Sequence, residues 1–171
     1  MRLRVYKRSL PRCFSAHPKG KGVVAEADIT MQPRGRLAAK LLVFDRPASL
    51  CRFWKHALHN PTTRDTRGIV TGLSTQVEDY GTGGELRRAW MRADPRYFCV
   101  VGLCLGWLNM EVISHEAVHA AYCYEKRVGR NLFGDAAADF DEERIAYPAG
   151  RIAAAVNRFL HKKGLYDECR T

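Results

Sequence analysis

Residues 97–127 read YFCVVGLCLGWLNMEVISHEAVHAAYCYEKR. The opening nine residues are rich in Val, Phe, Tyr and Cys, stop at Gly106, and read as a buried strand. From Asn109 the pattern changes to a helix that continues to about Arg127. Asn109 suits the cap, and Glu111 places a negative charge in the first turn, where the helix dipole favours it. Val112, Val118 and Tyr122 can share an apolar stripe, while Ala117, Ala120 and Ala121 permit close packing.

Downstream, 129–138 is a connection containing Gly134, and a second helix is expected to start near Asp139–Asp141 and run toward His161, ending before Gly164. Pro148 either kinks that helix or starts its main body after a short turn. In either case Gly150, Ala153, Ala154 and Asn157 suit packing against the first helix. Upstream, 40–44 (KLLVF) reads as a buried strand, and 48–58 as a helix with Pro47 at its start and Leu50, Phe53, Trp54 and Leu58 at helical spacing. Residues 60–84 are polar and rich in Thr, Asp and Gly, and read as loop, followed by a helical turn or two at 85–91. Arg2–Lys7 and 23–31 are candidate short strands. Together these give an α+β chain. Residues 1–40 form a basic N-terminal extension able to join the sheet, and 41–171 form the main domain.

The chain has 171 residues and a formal charge of +10. Residues 1–40 carry +8, 41–110 carry +3 and 111–171 carry −1. A basic excess suggests a polyanion partner, but here it belongs to the first quarter. The longest strongly apolar stretch, 98–108, is 11 residues, too short to span a membrane. The N-terminus has charges without an apolar core behind them, so no secretory signal is expected. Six cysteines at 13, 51, 99, 104, 123 and 169 contain no C-x-x-C pair, and their irregular spacing favours reduced thiols in a cytoplasm. Cys99, Cys104 and Cys123 fall in expected core elements and read as small apolar residues.

Residues 115–119 are His-Glu-Ala-Val-His, an H-E-x-x-H motif on the expected helix. Residues i and i+4 lie one turn apart on one helix face, so His115 and His119 can present two imidazole nitrogens to one Zn2+. Glu116 is turned by about 100° from His115. That keeps it off the metal but beside a water held there, where a general base belongs. A chance match is expected in about one such chain in a hundred, so the alternative of an ordinary amphipathic helix is the weaker one. A catalytic zinc site normally has three protein ligands. After His119 the candidates are His161 and the carboxylates of Asp139, Asp141, Glu142 and Glu143. Acidic residues at a helix start are also favoured by the dipole alone, which accounts for Asp139 and Asp141. The Cys13–His17 pair and His56 with His59 lack partners. No calcium-loop spacing and no phosphate loop are present.

The stretch 112–121, VISHEAVHAA, followed by 141–147, DEERIAY, resembles gluzincin-type zinc metallopeptidases, and most closely the small zincin-like proteins of bacteriophages and prophages. The resemblance covers roughly 97–161. It implies a minimal zincin fold, a small mixed sheet packed on the H-E-x-x-H helix and on a second, glutamate-bearing helix. In that group an alanine often follows the glutamate ligand by three. Glu143 with Ala146 has this phase, which makes Glu143 the implied third ligand, with Glu142 the fallback. It further implies an edge strand above the cleft that pairs with an extended peptide, and 97–105 is the candidate. An oxyanion donor is needed as well. Tyr147, four residues after Glu143, is a candidate, with packing in the core as the other reading of that side chain.

The resulting expectation is a zinc-dependent metallopeptidase acting on a protein or peptide. His115, His119 and Glu143 hold Zn2+, and Glu116 and Tyr147 are catalytic. It would work in a cytoplasm, that of the host if phage-encoded, without membrane association. The alternative is a nucleic-acid-associated zincin-like protein, such as an antirestriction or genome-associated factor. Its basic N-terminal residues, Arg2, Arg4, Lys7, Arg8, Arg12, Lys19 and Lys21, would meet phosphates. A purely structural metal clamp would not need Glu116.

Overall fold

Two strands, β2 (Ala38–Phe44) and β4 (Tyr97–Cys104), are buried at every position, and they lie side by side in parallel at the centre of the sheet. This explains why both read as continuous apolar runs: a strand covered on both faces has no solvent side to alternate with. β1 (Val23–Thr30) pairs antiparallel with β2, and β3 (Gly68–Gly72) pairs antiparallel with β4, giving a mixed four-stranded sheet in the order β1-β2-β4-β3. The structure, a computed structural model, describes residues 22–31, 37–57, 68–72, 96–128 and 142–166.

Helices cover both sheet faces. α1 (Pro47–Ala57) packs Leu50, Phe53 and Trp54 against Ala38, Leu42, Phe44, Val100 and Cys104. On the other face α2 (Met110–Arg127) and α3 (Glu143–Lys163) pack on Ala27, Ile29, Leu41, Val43, Val101 and Leu103. The side chains of β2 divide by parity between the two cores, as the period of two requires. Gly102 makes the α1 side possible. A Cβ there would lie 2.5–2.6 Å from the Trp54 ring and 2.7 Å from Leu50 Cδ1, so the indole rests directly on the β4 backbone.

The local signals of α2 hold. Asn109 Oδ1 accepts the Val112 N–H at 3.0 Å, and Glu111 lies in the first turn. Val118 departs from expectation: it is exposed, and the buried stripe runs through Val112, Ile113, Glu116, Ala117, Ala120 and Ala121. α3 begins at Glu143, later than expected, and continues through Pro148, which is buried, to a left-handed Gly164. Gly150 and Ala154, expected against α2, are exposed.

The strand at 97–105 is not an edge strand. β4 is interior, and among the described residues the edge beside it is β3, a segment that reads as polar loop in the sequence. Val23–Thr30 belongs to the sheet, so the basic extension and the core overlap. Residues 2–21, with Arg2, Arg4, Lys7, Arg8, Arg12, Lys19, Lys21, Cys13 and His17, lie outside the described residues, as do His59, the helical turn expected at 85–91, Asp139 and Asp141. No described helix is long and apolar enough to cross a membrane.

Candidate metal centre on the exposed face of α2

α2 presents three kinds of surface. Its Met110 Sδ accepts a hydrogen bond from Asn157 Nδ2 of α3 at 3.2 Å, and the buried Ala117 and Ala121 fall within about 20° of Met110 around the helix. That flank meets α3. Glu116 lies about 120° from it and meets β3: a Cβ on Gly68 would lie 2.7 Å from Glu116 Cγ and 2.9 Å from its Oε1. His115 and His119 lie on the remaining, exposed side.

The two imidazoles converge. Their Nε2 atoms are 3.2 Å apart and the rings meet edge-on, 4.8 Å between centroids. Two nitrogens bound to one tetrahedral zinc at 2.0–2.1 Å would be about 3.3 Å apart. The pair as it stands therefore fits two corners of such a site. Glu116, one residue on, is only 6% exposed, and burial pushes its carboxyl up to about 7. A carboxyl balanced between its charged and neutral forms near neutral pH can both take and return a proton.

The remaining candidates stand apart from the pair. Glu143 is exposed in the first turn of α3, and Glu142 stands at its N-cap position with no side-chain cap hydrogen bond. His115 and His119 are turned by about 140° and 180° from the α2 flank that meets α3. Among the described residues no three His, Cys, Asp or Glu side chains are grouped to hold a metal ion. His161 is at the far end of α3, stacked on Tyr166 at 4.3 Å. Tyr147 is 67% exposed, so it is not packed in the core. It lines a groove of about 530 Å3 with Met31, Gly150, Arg151 and Arg158.

Gly68 escapes the sequence reading. Nothing in a five-residue GIVTG within a polar stretch marks it as the floor beneath a catalytic candidate, because that contact joins residues 48 positions apart in the chain. Comparisons with protein-family models, with curated proteins and with solved structures find no match to this chain.

Proposed function

We propose that the protein is a zinc-dependent metallopeptidase, with His115 and His119 as two of the metal's ligands and Glu116 as the general base. The observation that carries this reading is the convergence of two exposed imidazole nitrogens, 3.2 Å apart, beside a buried carboxyl held near neutrality. When bound, zinc would lower the pKa of a water toward about 7 and polarise the scissile carbonyl. Glu116 takes the water proton and passes it to the leaving amine. Its rotation from the histidines and its seat on Gly68 keep it out of the ligand set while fixing its position.

A peptide substrate is favoured by β3. Among the described residues it ends the sheet on the side where Glu116 sits, and a sheet edge offers backbone N–H and C=O groups to an extended chain. The edge role expected of 97–105 passes to β3.

The test is metal content followed by peptide hydrolysis. The purified chain should hold about one zinc, and Glu116→Gln should keep it while losing hydrolysis of a mixed peptide pool. A chain that binds no zinc, or a Glu116→Gln variant as active as the parent, overturns the reading.

A further inference from the structure

The last third of the chain is nearly neutral, yet its charges are sorted by element. After Glu143, α3 carries five Lys and Arg residues and no acidic one through Lys163. Tyr147, Arg151, Ala154 and Arg158 lie within about 60° of one another around the helix, and all four are exposed. With Gly150, and with Met31 just past the end of β1, they line the groove of about 530 Å3. Gly150 and Ala154 have almost no side chain, which leaves the space that the longer side chains border.

No carboxylate lines this groove, and among the described residues neither Arg151 nor Arg158 belongs to an ion pair. Two guanidinium groups, carried two turns and about 10 Å apart along the axis, therefore keep their donors for an anion from outside. A guanidinium fork matches the oxygens of a phosphate. Tyr147, one turn before Arg151, is 67% exposed, and a ring left in water beside cations is a surface for stacking.

We propose that this groove binds single-stranded nucleic acid, with phosphates on Arg151 and Arg158 and a base stacked on Tyr147. The proposal goes beyond the peptidase reading and does not depend on it. The groove lies beside the end of β1, whereas Glu116 rests on β3, at the other edge of the sheet among the described residues.

The exposed ring decides between polyanions. An acidic peptide would give the arginines their partners and leave the tyrosine ring in water. A duplex would offer phosphates but keep its bases stacked on one another. A single strand supplies a free base beside every phosphate, which is the combination the groove presents.

The experiment follows the fluorescence anisotropy of a labelled oligothymidylate of about twelve nucleotides, titrated with the full, metal-free chain between about 50 and 200 mM salt. The parent should bind, and more weakly as salt rises. Arg151→Ala with Arg158→Ala should bind at least tenfold more weakly at the low salt. Its slope of log K against log salt should be shallower by about 1.4, the share of two phosphate contacts on a single strand. Tyr147→Ala should weaken binding about fivefold or more with the slope unchanged, while Tyr147→Phe, which keeps the ring, should bind like the parent. All three side-chain positions are exposed, so the unfolding midpoints should match and show that the variants fold. No binding at low salt overturns the proposal. So does an arginine double variant that binds like the parent, which would place the strand on other basic residues of the chain. A Tyr147→Ala variant as tight as the parent, or displacement of the strand by an equal charge of polyglutamate or by duplex DNA of the same length, overturns it as well.

Discussion

Gly68 is the surface on which Glu116 rests: a methyl group there would lie 2.7 Å from Cγ and 2.9 Å from Oε1 of the glutamate. Real Cβ atoms do not approach so closely, so Gly68→Ala must displace the carboxyl. The strand can tolerate the change, because alanine is no worse than glycine in extended backbone. The displacement falls on the proposed general base and leaves the imidazoles alone. On the proposed function, Gly68→Ala should therefore still bind zinc and lower peptide hydrolysis at least tenfold, since a misplacement of about 1 Å can cost about a hundredfold. Zinc content and kcat/KM measured on the same preparation check this.

Burying Glu116 carries a cost that depends on pH. Its folded pKa is raised from 4.5 to about 7, so the folded chain holds a proton that the unfolded chain has released. Stability is unaffected below about pH 4.5, falls as pH rises toward 7, and levels off above. Glu116→Gln removes this dependence. In metal-free protein the variant should be more stable than the parent at pH 8, by about 1–2 kcal/mol after allowing for solvent screening, and equal to it at pH 4. Urea unfolding at the two pH values measures the difference.

α2 was legible because its signals are local: a cap, an acidic first turn and a motif at one-turn spacing all lie within one stretch, and the helix forms where they place it. β2 and β4 were legible as apolar runs. β3 was not, since five residues that begin and end in glycine gain strand character only from β4 on one side and Glu116 beneath. The exposure of Tyr147 has another origin. Helical phase correctly puts Tyr147 and Glu143 about 40° apart, but phase within a helix does not say which way the shared face turns. Here that face is exposed, and Pro148 takes the buried position next to it.

The flank of α2 that meets α3 is opposite His119, which separates two kinds of variant. His115→Ala and His119→Ala should each lose zinc, because either change leaves one imidazole where two converge. Glu143→Gln should keep zinc with little change in affinity, since Glu143 is exposed on α3 and not grouped with the pair. Zinc titration with a competing chelator distinguishes the three. A loss of zinc by Glu143→Gln comparable to that of the histidine variants would make it the third ligand.

Gly102 sets the spacing between β4 and α1. Its missing side chain leaves room for Trp54 Cζ3 and Cη2, which a Cβ would approach to 2.5 and 2.6 Å. Trp54 is wholly buried and packed on Phe44 and Phe53 at 6.4 and 5.3 Å between centroids, so it cannot swing aside. Gly102→Ala should cost about 1–3 kcal/mol or more through overpacking, read as a lower unfolding midpoint. The α1 face is opposite the histidines, so zinc binding by the folded fraction should not change.

Lys40 is the one lysine buried among the described residues, 5% exposed in β2 with the rest of that strand apolar or small. It survives there because β1 supplies the opposite charge: Asp28 Oδ1 lies 3.0 Å from Nζ and Glu26 Oε2 3.8 Å, while the Tyr97 hydroxyl donates to Asp28 at 2.8 Å. The group spans three strands, from Asp28 through Lys40 to Tyr97, and so fixes the order β1-β2-β4. Lys40→Met fits the apolar strand but leaves two carboxylates facing each other without a cation. Breaking a buried pair in this way costs about 3–5 kcal/mol, because the remaining charge stays desolvated. The double variant Lys40→Met with Asp28→Asn removes most of that charge and should recover much of the loss. A loss in the double variant smaller than the sum of the two single losses, measured by urea unfolding of the four chains, identifies the ion pair as the cause. Additive losses would assign the effect to packing of the lysine stem instead.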